Sequence, residues 1–140
     1  VDSSIKENIA YGVPPELIDM DLIKRCAKYA RIHDFIESKE GSYESLVGER
    51  GIKLSGGQIQ RIGIARALYK RSKIFIFDEA TSALDFKTEL EVINSIYDFD
   101  KSSTIILVTH RLNTIANCDR IIEIENSEIK KVILGNQLSK

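Results

Sequence analysis

Two groups of residues in this chain have the types and the spacing to act on a phosphate. The first is Ser55-Gly56-Gly57-Gln58, preceded by Leu54 and followed by a run to Lys70 whose apolar residues recur at helical spacing. A Ser-Gly-Gly turn that opens a helix leaves backbone N–H groups unpaired at the positive end of the helix dipole, and glycine lets an anion come close to the backbone. The second is Asp78-Glu79, which follows Ile74-Phe75-Ile76-Phe77. That short, wholly apolar run reads as a strand buried on both faces. Acids at its carboxyl end stand where open α/β sheets bind ligands. Each group has an ordinary explanation when taken alone, a plain turn in one case and a solvated loop in the other.

Adjacent acids after a strand need not be equivalent. The one at the strand terminus, Asp78, is geometrically fixed and suits a magnesium ion held largely through phosphates, directly or through water. Glu79, one step further out, could orient and deprotonate an attacking water, which requires its pKa to be raised by partial burial or by its acidic neighbour. A histidine, His110, ends the later apolar run Thr104 to Val108 and is expected at the same edge of the sheet. Asp85 precedes a helical stretch that it could cap. Arg61 could reach a ribose or a phosphate, or be simple solvated helix charge. His33 is read as structural.

The order of these blocks carries more than any one of them. Leu46-Val47-Gly48-Glu49-Arg50-Gly51 comes before the Ser-Gly-Gly turn, and Ala80-Thr81-Ser82-Ala83-Leu84-Asp85 comes after the acids. The chain as a whole closely resembles the nucleotide-binding domain of ATP-binding-cassette transporters. The resemblance implies an ATPase using ATP and Mg²⁺, with Glu79 and His110 catalytic and Asp78 at the metal. It also implies that Ser55, Gly56, Gly57 and Gln58 close over ATP held by a second nucleotide-binding domain, and that the segment ending in Asp85 crosses the dimer interface. Glu49-Arg50, and Ala80 where importers usually carry proline, resemble exporters, so a transmembrane domain of the same transporter is the other implied partner. The expected location is the cytoplasmic face of a membrane, the bacterial inner membrane by the likeness of Ser4 to Gly12 to bacterial exporters. The alternatives are a soluble ATPase of the same family acting on chromosomes or ribosomes, and a docking fragment without catalysis.

A P-loop requires Gly-Lys followed by Ser or Thr, so that amides cradle the phosphates and the lysine reaches them. None of the eight glycines precedes a lysine. The expectation is therefore the C-terminal part of a longer protein, with the nucleotide-cradling part upstream and the 140 residues inactive by themselves.

The elements that must position these groups follow from local pattern. Ser3 to Ala10 reads as a helix capped by Ser3 or Ser4, stopped by Gly12 and Pro14-Pro15. A second helix starts at Asp19 or Asp21 and carries the apolar stripe Leu22, Ile23, Cys26, Ala27 and Ala30, fading near Phe35-Ile36. Up to about Lys70 the chain is read as helices and loops. After Ser72 it alternates: Ile74–Phe77, helix Lys87–Phe99, Thr104–Val108, a short helix Arg111 to about Asn117, and Arg120–Ile124. That alternation predicts a parallel sheet with crossover helices, an α/β core. Asn126-Ser127 turns the chain into a last strand, Glu128–Ile133. The fold class is thus α/β, a partial P-loop NTPase core after a helical subdomain, divided as 1–70 and 71–140 within one incomplete domain.

Composition bounds the partners. At 43% hydrophobic residues the chain can bury one modest core. A net charge of −1, with Lys and Arg scattered among acids, argues against nucleic acid. No apolar stretch reaches the length of a membrane span. Cys26 and Cys118 stand far apart without a ligand cluster, as small buried residues do.

Overall fold

The computed structural model describes residues 2–48, 52–78, 86–110, 115 and 118–135, with 86–89 as backbone only. Cα packing divides the chain into two compact units, one up to Ile106 and one from Leu107 onward.

The first unit is built on five helices: α1 (Ile5–Ile9), α2 (Met20–Tyr29), α3 (His33–Glu37), α4 (Gly56–Tyr69) and α5 (Phe86–Phe99). Ser4 caps α1 through a reciprocal pair, its Oγ accepting from Glu7 N–H while the Glu7 carboxylate accepts from Ser4 N–H at 2.9 Å. Asp19 caps α2 by accepting from Leu22 N–H. The core lies where α4 meets α1 and α2, and the largest fully buried side chains are Ile5, Ile9, Ile23, Cys26, Ile32, Ile36, Leu68, Val92 and Ile96. Leu22 alone of the expected α2 stripe is only half-buried. On the α5 side, the Arg25 guanidinium lies 5.2 Å from the centre of the Phe99 ring, and Tyr29 meets Phe99 edge to face at 5.1 Å.

The α2 pattern was expected to fade only near Phe35, but the helix stops at Tyr29. Arg31 takes a left-handed conformation (φ 55°), with Arg31 N–H donating to Lys28 C=O and Ile32 N–H to Ala27 C=O. This is a Schellman ending with arginine where glycine is usual, so no residue type announced it. α4 ends in the same way on Arg71 (φ 53°).

The expectation of helices and loops alone before Lys70 is corrected by a two-stranded antiparallel pair, β1 (Ser3–Ser4) with β2 (Leu46–Val47). Two residues per strand leave no alternation to read. Ile52 N–H donates to Leu46 C=O, closing the segment between them at its base.

β3 (Ile74–Asp78) and β4 (Thr104–Val108) are hydrogen-bonded neighbours. Thr104 N–H donates to Lys73 C=O at 2.7 Å, so the two strands start side by side and run parallel. β3 is not buried on both faces: Phe75 and Phe77 are 6% and 8% exposed, while Ile74 and Ile76 are 61% and 67% exposed. Among the described residues packing covers one face only, and a wholly apolar strand cannot reveal which neighbours will cover it. The β3 entrance is tied to the end of α5 by Lys73, whose ammonium meets the Asp100 carboxylate and the Ser102 hydroxyl.

The second unit contains β5 (Arg120–Glu125) and β6 (Glu128–Leu134), an antiparallel hairpin. The third parallel strand expected at Arg120 is thus paired to its successor instead. Asn126 and Ser127 both have positive φ (52° and 65°), which is the two-residue turn whose twist suits a hairpin. A register shift at Glu123/Ile124 sets Ile129, not Lys130, opposite Ile124, and Lys130 reaches both Glu123 and Glu125. Among the described residues no helix is long and apolar enough to cross a membrane.

Candidate functional site

Ser55 is extended (φ −68°, ψ 160°) and turns the chain into α4 as its N-cap. Its Oγ accepts from Gln58 N–H at 3.3 Å, and Gln58 Oε1 accepts from Ser55 N–H at 2.8 Å. This capping box satisfies the cap and the third residue of the helix and leaves the amides of Gly56 and Gly57 as first-turn donors not engaged by a described residue. No acidic side chain stands in the first turn to answer the dipole. Ser55 and Gly56 are exposed, Gly57 is buried, and the Ser55 hydroxyl still has its own proton to donate. The turn therefore presents a hydroxyl, backbone amides and a positive dipole end to an external anion, which fits a phosphate group. Gln58 is folded back onto the cap, so its side-chain NH₂ is what it has left to offer.

Three side chains that pattern reading undervalued hold this helix. Arg61 donates from Nε to Gly57 C=O at 3.2 Å and from a terminal nitrogen to Arg31 C=O at 3.1 Å. It is therefore not free solvated charge. Arg66 donates to Asn8 C=O at 2.7 Å and lies over the Tyr11 ring. Asn8, buried, donates its side-chain amide to Ser3 C=O, Ser3 Oγ and Ser4 C=O, which fixes α1 against β1. Asn8 follows the charged pair Lys6-Glu7, so its polar type gave no hint of this in the sequence.

Asp78 is the last residue of β3 and is exposed. Alternation along the strand puts it on the same side as Ile74 and Ile76, the uncovered one. An accessible carboxylate there fits a metal ion whose remaining ligands come from phosphate and water. No group of three or more His, Cys, Asp or Glu converges among the described residues. Glu79 and Asp85 lie outside the described residues, as do Glu49, Arg50 and most of the expected helix after His110. His110 is exposed, just beyond β4, in the second unit. The structure thus brings Ser55, Gly56, Gly57 and Gln58 together on one turn, and sets Asp78 at a strand end.

The remaining titratable groups behave as packing. His33 begins α3, and its Nδ1 shares a 2.8 Å hydrogen bond with the Tyr43 hydroxyl, a partner the sequence did not suggest. Burial, aided by Glu37 and Asp34, pushes the Tyr43 phenol up to about 12. Burial likewise pushes the Cys26 thiol up to about 11 and raises that of Cys118; neither is in a disulfide, and thiols so raised are poor nucleophiles.

Residues 2–82 match the family model described as "ABC transporter". The chain is 47% identical over 128 residues to mouse "ATP-binding cassette sub-family B member 5", covering 91% of this chain and 10% of that protein. It is 47% identical over 129 residues to the "Leukotoxin translocation ATP-binding protein LktB" of Mannheimia haemolytica, covering 92% and 18%. The "Toxin RTX-I translocation ATP-binding protein" of Actinobacillus pleuropneumoniae is 46% identical over 129 residues, with the same coverage. Among solved structures, "a bacterial Atm1-family ABC exporter with ATP bound" superposes with a TM-score of 0.83 at 39% identity, covering 98% of this chain and 24% of that one. The chain thus spans between about a tenth and a quarter of the length of these relatives. With a Ser-Gly-Gly turn on a capped helix, an acid ending a parallel strand, and a family model matching more than half its length, this chain belongs to the ABC transporter family.

Proposed function

We propose that the chain is part of the ATP-hydrolysing nucleotide-binding domain of an ABC exporter. The observation that carries this is the α4 N-terminus, where the Ser55 hydroxyl and the Gly56 amide belong to exposed residues at the start of a helix with no acid in its first turn. In this reading residues 1–70 form the helical subdomain and residues 71–140 half of the ATPase core. The domain works as a dimer, attached through a transmembrane domain at the cytoplasmic face of a membrane. The Ser55–Gln58 turn closes over the γ-phosphate of ATP held by the opposite domain. Glu79 takes the proton of the attacking water, and His110 donates a hydrogen bond to the developing charge on the phosphate. Asp78 would hold Mg²⁺, which supplies charge neutralisation to the phosphates. The exposed apolar side of β3 fits the same reading, since a strand without polar residues suits a sheet covered on both faces.

The 140 residues contain no Gly-Lys-Ser/Thr device to grip a triphosphate, so the chain alone should not bind labelled ATP at micromolar concentrations. Saturable binding there would reveal a phosphate site of another kind. In the complete protein Gly56→Asp places a carboxylate at the helix start, where it repels phosphate. Hydrolysis should stop while each separate domain still binds ATP. Equal loss of affinity in the monomer would mean that the turn contacts nucleotide on its own subunit, and the two-domain arrangement would be wrong.

A further inference from the structure

The guanidinium of Arg61 joins two places that lie 26 residues apart in the sequence. One is Gly57 C=O in the first turn of α4, and the other is Arg31 C=O at the left-handed corner between α2 and α3. The corner is intrinsically unfavourable for a residue with a side chain, by about 1 kcal/mol, and its carbonyl points outward from the end of a helix. Carbonyls at a helix end carry the negative end of the α2 dipole and are answered well by a cation. At the α4 end the logic is the opposite: a cation this close to a helix N-terminus is disfavoured by the dipole. Its place there is explained by the two carbonyls it ties. Nε and the terminal nitrogen are separate donors in one rigid plane, so occupying both acceptors at once fixes the azimuth of the first turn relative to the corner.

We propose that Arg61 is a positioning residue for the Ser55–Gln58 turn. Through it, the orientation of the α2–α3 corner sets the direction in which the Ser55 hydroxyl and the glycine amides point. This rests on the reading of that turn as a phosphate-closing element. It makes Arg61 a route by which any force on the helical part is delivered to the phosphate contacts. No contact between Arg61 and nucleotide is needed.

The test uses the complete transporter subunit carrying Glu79→Gln, in which closed dimers accumulate with ATP. The ATP concentration for half-maximal closure is read by light scattering, and the thermal midpoint is read without nucleotide. Arg61→Lys keeps the charge and the stem, but one ammonium cannot take both nitrogen positions. Its thermal midpoint should stay near the parent's while the ATP requirement for closure rises about tenfold, the scale of one lost charge-assisted hydrogen bond. Arg61→Ala should raise it at least as much. Closure of Arg61→Lys at the parent's ATP concentration overturns the proposal. So does a closure defect that disappears when the assay is cooled by the drop in thermal midpoint, because that is the mark of a merely structural role. Gly56→Asp is run in parallel. If it abolishes closure while Arg61→Lys does not shift it, the phosphate turn stands and the Arg61 role falls. If Gly56→Asp closes normally, the reading of the turn itself fails and takes this proposal with it.

Discussion

The start of α4 and the end of β3, the two places proposed to act on phosphate, are built in contrasting ways. At α4 the donors are held from behind: the capping box fixes Ser55 and Gln58, Arg61 clamps Gly57 to the α2–α3 corner, and Arg66 ties the helix to Asn8 of α1. At β3 the carboxylate of Asp78 stands exposed on the last residue of a strand whose Ile74 and Ile76 are also exposed. One end is preorganised by side chains of its own unit. The other has a fixed backbone, given by the parallel pairing with β4, but takes its chemical meaning from groups that must meet it there. A turn that closes on an anion has to arrive rigid, whereas an acid serving a metal or a water can be completed by those ligands themselves.

The largest effect expected to sharpen this contrast lies at the strand edge. In the complete protein His110→Ala should lower the steady-state hydrolysis rate by roughly 10²-fold, the scale of one transition-state hydrogen-bond donor, without altering the melting curve. An unchanged rate, or a variant that cannot be refolded, would make His110 structural and leave the phosphate chemistry to other groups.

Next come the two sides of β3. Phe77→Ala should cost about 3–5 kcal/mol in chemical denaturation, as removal of a core aromatic does, whereas Ile76→Ala should stay within about 0.5 kcal/mol of the parent in this chain. Similar costs at the two positions would show that the strand is covered on both faces, and the contrast with α4 would vanish.

A smaller change is expected within α4. Gly63 sits mid-helix, and a Cβ added there meets nothing within 4 Å. Gly63→Ala should stabilise the chain by about 0.5–1 kcal/mol through helix propensity alone. Destabilisation would mean that this face of α4 is packed against something in solution.

The smallest concerns the tie at the β3 entrance. Hydrogen bonds from Lys73 and then Ser102 hold the Asp100 carboxyl down to about 2 from its ordinary 3.8. The folded pKa is depressed, so the tie contributes above the unfolded value and is lost as pH falls from about 4 towards 2. Because the pair is exposed, salt should screen it. Denaturation midpoints of Asp100→Asn and the parent should differ at pH 6, and the difference should shrink by more than half at pH 2.5. A difference as large at pH 2.5 as at pH 6 would locate the effect elsewhere.

Much of this molecule was legible in residue order. A serine cap at Ser4, Asp19 as the start of α2, the buried stripe Ile23, Cys26, Ala27 and Ala30, and the Asn126-Ser127 turn all follow from local rules, because a cap or a tight turn is decided within four residues. Family membership was legible as well, because it is carried by the order of the Ser-Gly-Gly turn, the apolar run and the acids after it, all within the residues that the family model matches. What only the tertiary structure decided lies in longer-range pairings. The β1–β2 pair joins residues more than forty positions apart, with too few residues to show alternation. The Arg31 corner places arginine where glycine is the usual signal, and its carbonyl becomes meaningful only once Arg61 arrives from α4. The exposed side of β3 could not be read from Ile74-Phe75-Ile76-Phe77, because apolar composition states what a strand can bury and packing alone decides what it does bury.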